Sequence, residues 1–267
     1  MLERVDFVLV RPSHPGNVGA AARAIRVMGF GRLVLVDPRM PHMNLHPDAV
    51  ALASGADDVL ASVRTVTELD AALAGHALVI GLSASEREFV DSVASPEAAA
   101  IAVRDVLDAY RGASAALVFG TERTGLTIAE AQRCGLLCRI PGADDYRSLN
   151  LAQAVQVMAY VLRGVLVGAL GHEHPARSPH ADDMPATHDQ TEGMLAHLER
   201  ALITIGFLDP GQPKRLMPRL RRLFFRARPR REDIDILRGI CTRIERLATD
   251  RRDESRAVAA TFSRDPK

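Results

Sequence analysis

Two polar loops bearing glycine carry the residue types of a ligand site. The apolar run Ala115 to Phe119 breaks at Gly120-Thr121-Glu122-Arg123-Thr124-Gly125, and the run Leu136 to Ile140 closes at Pro141-Gly142. From there Asp144-Asp145-Tyr146-Arg147-Ser148-Leu149-Asn150 leads directly into a long apolar helix, Leu151 to about Gly168. Glycine lets a backbone approach a ligand closely, and loops at the carboxyl ends of strands are where open α/β sheets bind ligands. What is missing narrows the chemistry. No Gly-x-Gly-x-x-Gly follows the first strand, and there is neither a Gly-Lys-Ser/Thr phosphate loop nor a His-Glu-x-x-His. For a nucleotide-like cofactor the late glycine loops are therefore the candidates. Cys134 and Cys138 have no second Cys or His pair beside them, so no metal is expected there. The third cysteine, Cys241, makes the number odd, which fits free thiols in a reducing cytoplasm.

The elements that must position these loops follow a simple order. Val5 to Val10 reads as a buried strand, ending in the turn-rich loop Arg11-Pro12-Ser13-His14-Pro15-Gly16-Asn17. Asn17 suits the N-cap of a helix over Val18 to Met28, from which Arg23 and Arg26 project. Gly29-Phe30-Gly31 stops that helix, and Leu33 to Val36 is a second strand, completing a parallel, right-handed βαβ unit. Further along, Pro47 to Ala53 predicts a short helix, Val59 to Ala61 a short strand and Thr67 to Ala74 a helix. Ala77 to Gly81 predicts a strand opening into Leu82-Ser83-Ala84, and Ser95-Pro96 starts a helix to about Tyr110. Strand and helix alternate over residues 5–168, which predicts an α/β domain with a mainly parallel sheet. The helix after Asn150 is apolar on two faces (Leu151, Val155, Met158 and Leu162; Ala154, Val157 and Val161). Such a helix is either a core helix or part of a subunit interface.

With 267 residues and a net charge of +1, the chain has room for one large domain or a medium one with a smaller partner. Composition changes near Gly171. The histidine- and proline-bearing stretch 171–190 reads as a linker between an α/β unit, 1–170, and a C-terminal module, 191–267. His172, His174, His180 and His188 are too irregularly spaced for a metal cluster. Three amphipathic helices follow: Glu192 to Ile205, Lys214 to Phe225 and Arg231 to Leu247. Between Gly211 and Arg231 lie nine basic residues and no acid, with Leu216, Leu220, Leu223 and Phe224 as the apolar stripe. A charge run can be a solvated face, but one this uniform in sign favours a phosphate backbone as partner. No apolar run approaches the roughly 20 residues that cross a bilayer, and the N-terminus is a strand rather than a targeting peptide, so a cytoplasmic location is expected.

Three separated pieces, in order, resemble a known family. Asn17-Val18-Gly19-Ala20-Ala21-Ala22-Arg23 follows the first strand; Phe119-Gly120-Thr121-Glu122-Arg123-Thr124-Gly125-Leu126 follows a late one; Ile140-Pro141 with Ser148-Leu149-Asn150-Leu151-Ala152 precedes the last helix. Together they look like the three motifs of the SPOUT class, specifically its SpoU-type RNA ribose 2′-O-methyltransferases. The match is nearest to the members that modify cytidine or uridine in the tRNA anticodon loop. Leu220-Arg221-Arg222-Leu223-Phe224 and Ile236-Leu237-Arg238-Gly239-Ile240 are similar to the same group.

The resemblance implies a deep trefoil knot in the C-terminal part of the α/β unit, S-adenosylmethionine as cofactor and an obligate homodimer. By position, the cofactor would meet Leu82, Ser83, Ala84, Gly120, Ile140, Ser148, Leu149 and Asn150. Arg23 would be the catalytic arginine, oriented by Asn17; Glu122 would position Arg23 or the cofactor amine, and Ser148 would contact the ribose. An arginine does not readily give up its proton, so Arg23 is read as a phosphate clamp and alkoxide stabiliser. Arg11, Arg23, Arg147, Arg215, Arg219, Arg222 and Arg226 are the expected RNA contacts, although Arg147 stands where relatives carry a small polar residue. A plain helix cap at Asn17 and a surface salt bridge at Glu122 are the bland alternatives. Methylation of rRNA, or RNA binding without catalysis, are the alternative functions.

Overall fold

The computed structural model describes residues 1–83, 91–93, 95–143, 148–168 and 184–262, with backbone alone at 91–93 and 250–262. Seven strands form one sheet: β1 (Val5–Val10), β2 (Arg32–Val36), β3 (Arg64–Val66), β4 (Leu78–Leu82), β5 (Asp91–Val93), β6 (Ala115–Phe119) and β7 (Leu136–Cys138). Their order is β3-β2-β1-β6-β4-β7-β5, and every neighbouring pair is parallel. The side-chain period of two divides these strands between two cores. Val5, Phe7 and Leu9 of β1 face one with Leu117 and Phe119 of β6, while Val8 and Val10 face the other with Val118. Both faces are covered, which is why the central strands read as largely apolar runs. The first face carries α1 (Pro15–Val27), α5 (Pro96–Ala109) and α7 (Leu151–Leu166); the second carries α4 (Leu69–Leu73) and α6 (Ile128–Arg133). Asp6 is the one charge inside β1, and Arg32 Nε meets it at 2.5 Å.

Several boundaries differ from the sequence reading. Val59 to Ala61 is helical, within α3 (Asp57–Ala61), which follows α2 (Pro47–Ala53). Only Val59 and Leu60 of α3 are buried, so the stretch lacks the alternation of a strand. The edge strand is β3, just beyond it. Helix α1 begins at Pro15, not Val18: the proline takes the first helical turn, His14 is the N-cap, and Asn17 lies inside the helix. Its amide is thereby released from capping. β7 ends at Cys138, two residues before Ile140 and ahead of Pro141, which has no amide proton to extend a ladder.

Helix α7 is capped at its N-terminus by a side chain. Asn150 accepts from the amides of Ala152 and Gln153 in a capping box, while Arg163 Nη1 of α7 donates to Met28 O at 3.0 Å and closes the end of α1. One face is not buried. Tyr160 is 60% exposed there, beside Gln153 and Val167.

The C-terminal helices are α8 (His188–Thr204), α9 (Leu216–Ala227) and α10 (Arg231–Phe262), built on a separate apolar cluster of Ala186, Met194, Leu195, Leu208, Met217 and Ile234. α8 starts inside the stretch read as linker, with Thr187 and Gln190 forming its capping box, and α10 runs well past Leu247. The remainder of that stretch, 171–183, lies outside the described residues. Leu223 is not part of the apolar stripe: it is 47% exposed, and Phe225 packs in its place with Leu216, Leu220 and Phe224.

Candidate active site

Three loops meet above the carboxyl ends of β1 and β6, and side-chain hydrogen bonds join them. Glu122, just past β6, accepts from Ser13 N at 3.1 Å, Ser13 Oγ at 2.8 Å, His14 N at 3.3 Å and Asn17 Nδ2 at 3.0 Å. Asn17 in turn accepts from Asn150 Nδ2 at 2.9 Å, and Asn150 Oδ1 caps α7. One chain of bonds thus runs from Glu122 through Asn17 to the N-terminus of α7. Burial raises the Glu122 pKa, but the bonds from Asn17 and Ser13 outweigh it and hold the carboxyl below its ordinary value.

Gly120 makes the second loop possible. Thr121 and Gly125 exchange backbone hydrogen bonds at 3.2 and 2.9 Å, folding 120–125 back on itself. A Cβ on Gly120 would lie 2.1 Å from the Gly125 carbonyl carbon, so no other residue fits without opening the loop. Beside it is a cleft of about 290 Å³, lined by six of the expected cofactor residues: Leu82, Ser83, Gly120, Ile140, Ser148 and Leu149. Asn150 is adjacent as the α7 cap, whereas Ala84 and Arg147 lie outside the described residues. Apolar walls at Leu82, Ile140 and Leu149, with glycine backbone and the Glu122 carboxylate at the rim, suit a small group with a flat apolar part and a cationic part. S-adenosylmethionine is such a group, so these residues fit it.

Arg23 stands apart from this wiring. It is exposed on α1 and has no hydrogen bond or ion pair among the described residues. Asn17 and Glu122 bond to one another, and neither bonds Arg23 among the described residues. Arg11 is already paired, with Glu130 at 2.5 Å. Arg215, Arg219, Arg222 and Arg226 are all exposed, and their spacing puts them on one stripe of α9. Arg221 instead turns inward to Glu192.

Sequence reasoning missed Ser13 and His14, whose amides cradle Glu122; the turn-rich loop was the only signal. Burial pushes the Cys138 thiol up to about 12 and Cys134 further still, so neither is a nucleophile. Among the described residues no cluster of metal-ligating side chains occurs.

The SpoU rRNA Methylase family pattern matches residues 4–160, and the C-terminal domain of the tRNA methyltransferase TrmJ matches residues 189–254. The tRNA (cytidine/uridine/adenosine-2′-O-)-methyltransferase TrmJ of Pseudomonas aeruginosa is 44% identical over 93% of this chain and 96% of its own length. The chain belongs to the SpoU methylase family, in its TrmJ group. A second TrmJ, from Cronobacter sakazakii, is 41% identical over 92% of this chain and 97% of that protein. Among solved structures, TrmJ from Z. mobilis superposes with a TM-score of 0.73 at 30% identity, covering 90% of this chain and 98% of that one. A probable methyltransferase from Bordetella pertussis is 47% identical with a TM-score of 0.59, covering 62% of this chain and 97% of its own. SpoU methylase membership makes the fold expected, and the TrmJ match extends over the C-terminal helices that a bare catalytic domain lacks.

Proposed function

We propose that this SpoU methylase transfers a methyl group to a ribose 2′-oxygen of cytidine or uridine in the tRNA anticodon loop. S-adenosylmethionine, when bound in the cleft, supplies the electrophilic methyl. Leu82, Ile140 and Leu149 hold its apolar part, the Gly120 backbone allows close approach, and Ser148 reaches toward the ribose at the rim. Arg23 grips the RNA phosphate next to the reacting hydroxyl and stabilises the alkoxide as it forms. The proton leaves to phosphate or water, since the guanidinium is already fully protonated. Arg219 and Arg226, with Arg215 and Arg222, track the tRNA backbone, and Arg11 and Arg147 are further RNA contacts.

The observation carrying this reading is the bond chain Glu122–Asn17–Asn150, which ties all three family motifs to one cleft. A homodimer belongs to the proposal: Val27 of α1 and Tyr160 and Val167 of α7 are 63%, 60% and 55% exposed, an apolar face suited to a second copy. The division into an α/β unit and a helical module, the trefoil knot and the cytoplasmic location belong to it too; among the described residues no helix is long and apolar enough to cross a membrane. The test is methyl transfer from labelled S-adenosylmethionine to total tRNA and to rRNA, followed by nuclease mapping. Label confined to one anticodon-loop ribose supports the proposal. Label in rRNA alone refutes it.

A further inference from the structure

One carboxylate joins the C-terminal helices to the sheet. Glu192 on α8 accepts from Arg221 Nε at 2.7 Å and Nη2 at 2.9 Å on α9, and from Arg133 Nη1 at 2.7 Å at the end of α6. The Glu192 side chain is 14% exposed and that of Arg221 19%. Burial opposes the Arg221 charge, and the Glu192 contacts outweigh it and raise its proton affinity. Buried ion pairs of this kind are poor sources of stability compared with apolar packing. What a two-pronged guanidinium–carboxylate contact supplies is geometry.

The geometry here is the rotation of α9 about its own axis. At about 100° per residue, Arg222 lies about 100° from Arg221, and Arg215, Arg219 and Arg226 about 120–160°. Fixing Arg221 inward therefore turns the exposed arginine stripe outward. Together with Asp189, which accepts from Gly75 N at 2.9 Å, and His188 N, which donates to His76 O at 2.8 Å, the same contact fixes where that stripe stands relative to the cleft. Arg133 ends α6, whose first turn carries Glu130 paired to Arg11 at the end of β1. Helix α6 follows the Gly120–Gly125 loop with only two residues between. Rigid structure thus connects Glu192 to the cleft without a break.

We propose that Glu192 is a positioning residue for RNA methylation, aiming the α9 arginine stripe so that one RNA engages it and the cleft together. This rests on the tRNA reading above. Two joined contacts bind far more tightly than either alone, and only while their spacing matches the RNA. Glu192→Gln keeps the shape and removes the charge that holds Arg221 and that shares Arg133 with Asp70. Its tRNA Kd and KM should rise together, on the order of 100-fold. S-adenosylmethionine affinity and kcat at saturating tRNA should stay at parental values. A parent protein that binds tRNA but transfers no methyl would sink the methylation reading while leaving the Kd comparison as the test of Glu192. Unchanged tRNA Kd in a folded variant, or a loss of kcat at unchanged KM, overturns the proposal. If Glu192→Gln does not fold, Arg133→Gln cuts the same network from the α6 side and is judged by the same readouts.

Discussion

Replacing Glu122 by glutamine tests the wiring that assembles the site. The carboxylate accepts from Ser13 N, Ser13 Oγ and Asn17 Nδ2 at 3.1, 2.8 and 3.0 Å. Hydrogen bonds to a charged group contribute about 1.5–3 kcal/mol when buried, and less at a half-exposed site, so about 1 kcal/mol each is a fair figure. Glutamine keeps one acceptor oxygen and turns an amide donor toward the others, so the loss near neutral pH should be about 2 kcal/mol. The pH dependence has a definite sign. The folded-state pKa lies below the ordinary value of 4.5, so the stabilisation is full above that value and disappears as pH falls through the folded pKa. Urea unfolding of parent and variant should therefore show a gap at pH 7 that is smaller at about pH 3, where the carboxyl of the unfolded chain is protonated. An equal gap at both pH values would mean that shape, not charge, carries the effect, and no gap at pH 7 would refute the wiring.

Asn17→Ala and Asn150→Ala should each destabilise the protein, and the double variant should lose less than the sum, with a coupling of about 0.5–1.5 kcal/mol; strict additivity in urea unfolding would contradict the 2.9 Å bond between them. Gly120→Ala should cost at least about 3 kcal/mol, at the top of the overpacking range, because backbone at 2.1 Å cannot yield. Calorimetry should find its S-adenosylmethionine binding lost; binding at parental affinity would mean that the loop has another stable form. Arg219→Gln with Arg226→Gln should weaken tRNA binding and flatten its salt dependence by up to about 1 per lost phosphate contact, measured as log K against log salt. An unchanged slope would make the α9 stripe a solvated face.

The parallel sheet was legible because Val5–Val10, Arg32–Val36 and Ala115–Phe119 are short, apolar and separated by helical stretches. The cleft was legible because its glycines and serine stand at strand ends. Asn17 was misread because an asparagine before an apolar helix has the composition of a cap. The proline two residues earlier had already started the helix, and the real cap with that chemistry was Asn150. β3 and β5 have three residues each, too few for a period to register. The Glu192 network joins residues 29 and 59 apart in sequence, and nothing local in the chain records such a contact. The uniform sign of α9 pointed to an anion, yet it concealed that Arg221 turns the other way.

In the proposed function Arg23, exposed on α1, makes its contribution in the transition state. Methyl transfer from labelled S-adenosylmethionine to tRNA, measured for Arg23→Ala beside the parent protein, tests it most directly. Turnover should fall to background while tRNA and cofactor affinities change little, because the lost contact belongs to the developing charge. Arg23→Lys should recover little, since a point charge cannot reproduce the two-pronged grip of a guanidinium. A lysine variant regaining near-parental turnover at about pH 10 would make residue 23 a base rather than a clamp. Parental turnover in Arg23→Ala would contradict the account outright.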